Sequence, residues 1–307
     1  MGETAGIPDT AVILMAYGSP ERLEDVPAYY ADIRGGRPVA PGSVDELVER
    51  YRRLGIDKGS PLNAVTEETR AALERAAGLP VYTGMKHWEP RIATAVERAL
   101  DAGARRLAGI VLAPHYSRLS IGDYRRRLED AVPDRAALVF VESWHDDPGL
   151  VDFLAARIRG TDAHVVFTAH SLPERILAEG DPYQDELLTT CRLVADRAAV
   201  TGWSFSYQSA SETGEPWLGP DILDHLADLK DRGVQDVLVC PAGFVADHLE
   251  IFWDLDVEAA AQASELGMQL TRIEMPNADP AFVQVLVGLL RRALAVEPTE
   301  PAVSRLP

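Results

Sequence analysis

Basic residues are scarce: 30 Lys and Arg stand against 48 Asp and Glu in 307 residues, a formal net charge of −18 and an isoelectric point near 4.8. A surface of that sign repels nucleic acid and anionic membranes at long range, which sets nucleic-acid binding aside. Cysteine is nearly absent as well. Cys191 and Cys240 lie far apart without C-x-x-C spacing. They cannot by themselves supply four thiolates to a structural zinc or an iron–sulfur cluster and read as reduced packing residues. No apolar run approaches the length of a membrane span, and MGETAGIPDTAVILMAYG lacks the basic start and long apolar stretch of a secretory leader. A cytoplasmic protein without stable membrane insertion is expected. G-x-G-x-x-G, G-x-x-x-x-G-K-[ST] and G-x-S-x-G are also missing, so dinucleotide, phosphate-loop and serine-hydrolase chemistry have no motif to rest on.

What is present is apolar material in short runs. Hydrophobic residues make up 47% and charged residues 25% of the chain, enough for a full core and outside the disordered range. The candidate strands are Val12–Met15, Pro80–Tyr82, Leu107–Leu112, Ala137–Val141, Val165–Thr168, Ser204–Tyr207, Val237–Cys240 and Leu270–Ile273. They alternate with helical patterns, which predicts an α/β protein with parallel sheets covered on both faces. Ser43-x-x-Glu46 reads as a capping box, and Gly78 and Gly103 as helix stops. Strand ends rhyme between the halves: Met15–Pro20 with Thr168–Pro173, Tyr82–Pro90 with Tyr207–Pro220, and Ala113–Ser117 with Cys240–Phe244. Two domains are therefore expected, 1–155 and 156–307, with the last helix packing back on the first and Glu297–Pro307 as a frayed tail.

In parallel sheets ligands bind beyond the carboxyl ends of the strands, where the unusual residues of this chain collect. His170 closes His164-Val-Val-Phe-Thr-Ala-His; alone, such a residue is more often a satisfied structural histidine. The segment Ala246–Gln262 alters that reading. At roughly 100° per residue, Asp254 and Glu258 fall about 40° and 80° from Glu250, and apolar residues cover most of the remaining circumference. Carboxylates four apart repel one another, and no Lys or Arg occurs between Arg232 and Arg272. A narrow acidic stripe without a local counter-ion suits a divalent cation or a proton path, with His248 beside it and His170 opposite as N-donors.

At these residues the chain resembles the ferrochelatases, which insert ferrous iron into porphyrins. The matching stretches are Met15–Pro20, Tyr29–Arg34, Arg50-Tyr51, Gly59–Leu62, Gly84–Lys86, Ala113–Ser117, Thr168–Pro173, Trp217–Pro220 and Asp247–Glu250. The resemblance implies two similar Rossmann-like domains, each a four-stranded parallel sheet flanked by helices, with a porphyrin cleft between them. It implies that His170 and Glu250 face each other across the macrocycle. His170 would be base and metal ligand, Glu250 metal partner or proton relay, and Asp254 and Glu258 an outer metal station. Such a pair suits a reaction that removes two pyrrole protons, strips water from iron and bends the ring. For the porphyrin the resemblance points to Tyr17, Arg34, Arg50, Tyr51, Ser60, Lys86 and Tyr124, although Arg50 could equally pair with Glu46 or Glu49, and Tyr51 and Trp88 could equally be core.

The chain departs from the family pattern in places. Leu54–Gly59 replaces a shorter glycine-rich loop before Ser60, His87 has no assigned role, and the cysteine set that holds an iron–sulfur cluster in some relatives is missing. No permanently bound cofactor and no cluster is expected; Fe(II) and the porphyrin are substrates, with room for transient contact with neighbouring haem-pathway enzymes. Tyr17 in the first strand-end motif resembles the enzymes of Gram-positive and actinobacterial type that act on coproporphyrin III, where this tyrosine can ligate the product iron. Alternatives are a protoporphyrin IX enzyme, a cobalt or nickel chelatase for a sirohydrochlorin-like ring, and a porphyrin carrier without turnover. The last has no evident need for three aligned carboxylates.

Overall fold

The computed structural model describes residues 9–35, 37, 41–55, 60–211 and 214–295. The Glu297–Pro307 tail and most of the Leu54–Gly59 loop lie outside the described residues. All eight expected strands are present: β1 (Thr10–Ala16), β2 (Val81–Met85), β3 (Arg106–Val111), β4 (Ala137–Val141), β5 (His164–His170), β6 (Trp203–Gln208), β7 (Asp236–Cys240) and β8 (Gln269–Arg272). They form two four-stranded parallel sheets ordered β2-β1-β3-β4 and β6-β5-β7-β8. The rhyming strand ends thus correspond to a repeated topology. Even the exits match: Met85 N–H donates to the Pro90 carbonyl (2.7 Å) and Tyr207 N–H to the Pro220 carbonyl (2.8 Å).

Parallel strands bury both faces, and β1 shows how the alternation divides them. Ala11, Ile13 and Met15 pack with Ile92, Val96, Ile121 and Leu128, from α4 (Ile92–Asp101) and α5 (Ile121–Ala131). Val12 and Leu14 point the other way, into a cluster that also holds Phe153, Phe167, Cys191, Cys240 and Phe282. That core is shared by both halves, and both cysteines are buried and unpaired within it. Two helices carry the sharing. α6 (Pro148–Ile158) leads from the first sheet to the second; the expected boundary at 155/156 falls inside it. α11 (Pro280–Ala295) returns from the second sheet to pack on α6, β4 and α3 (Leu62–Ala77).

Gly78 ends α3 in the left-handed conformation (φ 67°) and Gly103 follows α4 at φ 102°, as their positions suggest. The capping box does not form. α2 (Ser43–Arg53) starts with Gly42 in the N-cap position at φ 89°, which makes Ser43 the first helical residue with no capping hydrogen bond. The expected α-helix at 246–262 is corrected as well. Residues 246–248 approach in an irregular turn, Leu249 and Glu250 open the helix, Ile251–Ala259 wind as a π-helix, and α10 (Ala260–Glu265) continues it as an α-helix.

Candidate active site

β5 delivers His170 to the rim of the second sheet, and contacts on both sides fix it there. The Tyr183 hydroxyl, from α8 (Tyr183–Ala198), donates to the His170 carbonyl at 3.0 Å. Gly243 lies so close behind β5 that a Cβ would stand 2.5 Å from that of Ala169, so only glycine lets the loop after β7 pass. The imidazole donates from Nδ1 to the Ser171 carbonyl, which turns Nε2 toward Glu250, 3.6 Å from its Oε1. His248 approaches the same carboxylate from the other side: Nε2 is 3.6 Å from Oε2, and Nδ1 donates to the Ala246 carbonyl at 2.9 Å. Glu250 therefore sits between two imidazoles. At 3.6 Å no macrocycle fits between His170 and Glu250, which corrects the expectation that they face each other across the ring: both stand on the same side of the cleft.

This arrangement sets the charges. Burial opposes a proton on His170, but the Glu250 carboxylate, the Ser171 carbonyl and Asp254 outweigh it and lift the imidazole to about 9. Burial would likewise raise Glu250, yet His170 and His248 hold it far below the usual carboxylate range. The pair is an imidazolium and a carboxylate, each with about a third of its side chain still open (32% and 38%).

Beyond Glu250 the acidic stripe survives the change of helix type, because a π-turn, like an α-turn, keeps residues four apart nearly in line. Asp254 is buried and accepts from Gln208 Nε2 (3.2 Å) and the Ser209 hydroxyl. Burial, reinforced by the Glu250 charge, pushes it up to about 6. Glu258 accepts from the Trp253 indole at 2.8 Å. Among the described residues no three His, Cys, Asp or Glu side chains converge as a metal cage. The three carboxylates follow one another at four-residue spacing, and the charges of Glu250 and Glu258 both bear on Asp254.

The first sheet supplies the opposite wall. Tyr17 follows β1 and is 40% exposed, one of the few large apolar side chains that are exposed among the described residues. Burial of its hydroxyl end, then the charges of Glu250 and Asp32, raise its phenol well above the ordinary range, which places Glu250 within electrostatic reach across the cleft. Gly18, at φ 85° with Trp88 only 2.7 Å from where a Cβ would be, makes the turn that leaves Tyr17 standing out. The Tyr17 ring leans on His87 (centroids 4.6 Å apart), whose Nδ1 donates to Asp32 at 2.8 Å.

The remaining expected porphyrin contacts are spread around this wall. Arg34 is the C-cap of α1 (Val26–Ile33). Arg50 pairs with Glu46 at 2.9 Å, one of the alternatives the sequence left open, and also lies 5.3 Å over the Trp253 ring. Ser60 lines an open hollow of about 780 Å³ with Arg22 and Asn63. Tyr51 packs with Val26 and Leu249, its hydroxyl 3.0 Å from Ser19, which is the core role the sequence also allowed. Lys86 and Tyr124 are buried against each other, the ammonium 5.0 Å over the ring and 3.1 Å from Asp123. Asp123, held near 2 by Lys86 and two arginines against the effect of burial, already neutralises that lysine. Sequence reasoning missed Gln208, Ser209 and Asp123. No local sequence signal marks them; the structure alone shows Ser209, just after β6, as a non-glycine residue at φ 61°.

Comparison with known proteins bears on the chain as a whole. A family model described as Ferrochelatase matches residues 9–294. A ferrochelatase of Herpetosiphon aurantiacus is 44% identical over 298 residues, covering 90% of this chain and 96% of the relative. A coproporphyrin III ferrochelatase of Geobacillus kaustophilus is 38% identical over 315 residues, covering 96% and 98%. Among solved structures, SirB from Bacillus subtilis with Fe3+ superposes with a TM-score of 0.58 at 13% identity, over 93% of this chain and 96% of that one. CbiX, described as the terminal enzyme for biosynthesis of siroheme in denitrifying bacteria, reaches 0.51 at 16% identity, over 92% and 99%. These two structures speak to the fold alone. Among the described residues no helix is long and apolar enough to cross a membrane.

Proposed function

Because this chain belongs to the ferrochelatase family, whose members insert ferrous iron into a porphyrin, we propose that its porphyrin is coproporphyrin III. The observation that carries this reading is Tyr17, a partly exposed tyrosine after β1 whose phenol feels the Glu250 charge. By the family resemblance this tyrosine would ligate the product iron. Four propionates also need more donors than two, and Arg34, Arg50 and Ser60 stand around this wall, whereas vinyl groups would favour an apolar lining. Side-by-side rates test the proposal: insertion into coproporphyrin III is expected to be the faster, and the visible spectrum of the ferric product complex is expected to change in Tyr17→Phe. Faster insertion into protoporphyrin IX would overturn the substrate, and an unchanged spectrum would remove the iron–phenolate contact.

In the proposed mechanism each residue acts on substrate through an identified atom. Iron arrives as a hydrated dication, passes Glu258 and Asp254, and reaches Glu250, exchanging water for carboxylate oxygen at each step. Its charge disfavours the proton on His170, and the freed Nε2 accepts a pyrrole proton as the metal enters the ring. For each iron inserted two protons leave the porphyrin, and the acidic line is a route by which they reach solvent. No permanent cofactor and no iron–sulfur cluster enters this scheme.

The outer station has its own test. A crystal soaked with a divalent cation should show density between the Asp254 and Glu258 oxygens. The double variant Asp254→Asn, Glu258→Gln should raise the Fe(II) concentration for half-maximal rate by roughly tenfold or more, the scale on which residues supporting a metal site act. An empty soak and wild-type kinetics would make these two carboxylates structural, Asp254 as the buried partner of Gln208 and Ser209 and Glu258 as the partner of Trp253.

A further inference from the structure

The two outer carboxylates are held in different ways. Asp254 is fixed from within its own domain, by Gln208 and Ser209 at the end of β6. Glu258 has no cation paired with it among the described residues, and its hydrogen-bond partner is the indole of Trp253, five residues earlier. That spacing is specific to the π-helix. An i→i+5 ladder brings residues five apart onto adjoining turns, whereas on an α-helix they would diverge around the circumference. Trp253 is itself buried (8% exposed). Its far face is covered by the Arg50 guanidinium, 5.3 Å from the ring centroid, and Arg50 belongs to α2 of the opposite domain. The ring is thus clamped between a cation across the cleft and a carboxylate at its edge.

We propose that Trp253 is a positioning residue for iron uptake: its indole N–H holds Glu258 in line with Asp254, and its stacking under Arg50 ties that hold to the porphyrin-binding wall. The proposal rests on the reading of Asp254 and Glu258 as an outer metal station. A carboxylate on an exposed turn would otherwise sample several rotamers, and a cation would have to order it on arrival. With one oxygen fixed by the indole, the other oxygen is presented to the cation in advance. A phenylalanine fills most of the indole's space and keeps the stack under Arg50 but donates nothing, so Trp253→Phe isolates the hydrogen bond.

Binding of Co(II) to the porphyrin-free protein, the indole proton resonances and steady-state kinetics together test this. The Trp253 indole signal, identified by its absence in Trp253→Phe, is expected to move when Glu258 becomes Gln. Trp253→Phe and Glu258→Gln are each expected to weaken Co(II) binding about tenfold, and the double variant to be no weaker than Glu258→Gln alone, since both act through one oxygen. In turnover, Trp253→Phe should raise the KM for Fe(II) and leave kcat at saturating iron unchanged. If Glu258→Gln weakens Co(II) binding and Trp253→Phe does not, or if the two effects add in full, the positioning role is overturned while the station stands. If the indole signal moves but Glu258→Gln leaves Co(II) affinity unchanged, the station itself is overturned and the positioning role with it. An indole signal that stays in place refutes the hydrogen bond directly.

Discussion

His170→Ala is expected to abolish iron insertion, a loss of at least about a thousandfold, while the porphyrin still binds. The scale is that of a missing acid–base group compounded by a missing metal ligand. Porphyrin binding should survive because the expected propionate contacts, Arg34, Arg50 and Ser60, lie on other elements, and the backbone around residue 170 is secured by groups the substitution leaves alone: the Tyr183 hydroxyl on the carbonyl and the β5–β6 ladder. The pH profile gives a second signature. With its imidazole near 9, His170 is protonated at neutral pH in the free protein and cannot accept a pyrrole proton until it loses its own. The neutral fraction, and with it kcat/KM, should rise as pH increases from 7 toward 9 and level off above. The alanine variant should lack that rising limb. Porphyrin metallation at near wild-type rate in His170→Ala, or an unaltered limb, would remove His170 from the chemistry.

How much of this could be read from the residues alone depended on whether the physics was local. The eight strands were legible because a parallel strand buried on both faces is a short continuous apolar run, as Thr10–Ala16 and His164–His170 are. β2 was placed early, at Pro80–Tyr82 instead of Val81–Met85, which left Gly84 outside the strand. In the structure it is a contact glycine, where a Cβ would meet the Ile92 backbone at 3.0 Å. The π-helix was illegible for a different reason: a periodicity test presupposes the α-helical angle, and π-helical winding is set by what surrounds the segment. The acidic stripe was visible regardless, since i, i+4 and i+8 nearly align in either form.

The site divides along the same line. His170 and Glu250 sit in compact motifs whose residue types announce a base and an acid. The groups that hold and charge them do not, because they come from distant elements. Gln208 reaches Asp254 from another strand, Asp123 neutralises Lys86 from α5, and Asp32 binds His87 from α1. No spacing rule relates such positions. The expected cation for a propionate, Lys86, proved to be engaged with Asp123 for the same reason: the sequence shows that a lysine is present but not that its counter-ion is already beside it.

Glu250→Gln is expected to cut insertion by at least about a hundredfold while preserving the shape of the side chain. The amide cannot carry the negative charge that draws the dication forward from Asp254, and it cannot pass a proton. The effect on His170 makes the prediction specific. Burial alone pulls that imidazole below its ordinary value, and the Glu250 carboxylate is the foremost influence lifting it. With the charge gone, the lift is lost and the burial remains, so the rising limb of kcat/KM should move to lower pH as the rate itself falls. Asp254 should respond in the same direction. Its carboxyl is raised first by burial and next by the Glu250 charge, so in the glutamine variant it should ionise at lower pH and bind a cation more readily near neutrality. The variant should therefore separate the two halves of the passage, with divalent cation still taken up at the outer carboxylates but no longer delivered to the ring. A glutamine variant that inserts iron within a few-fold of wild type, or whose pH limb stays in place, would show that the carboxylate between the two histidines is structural.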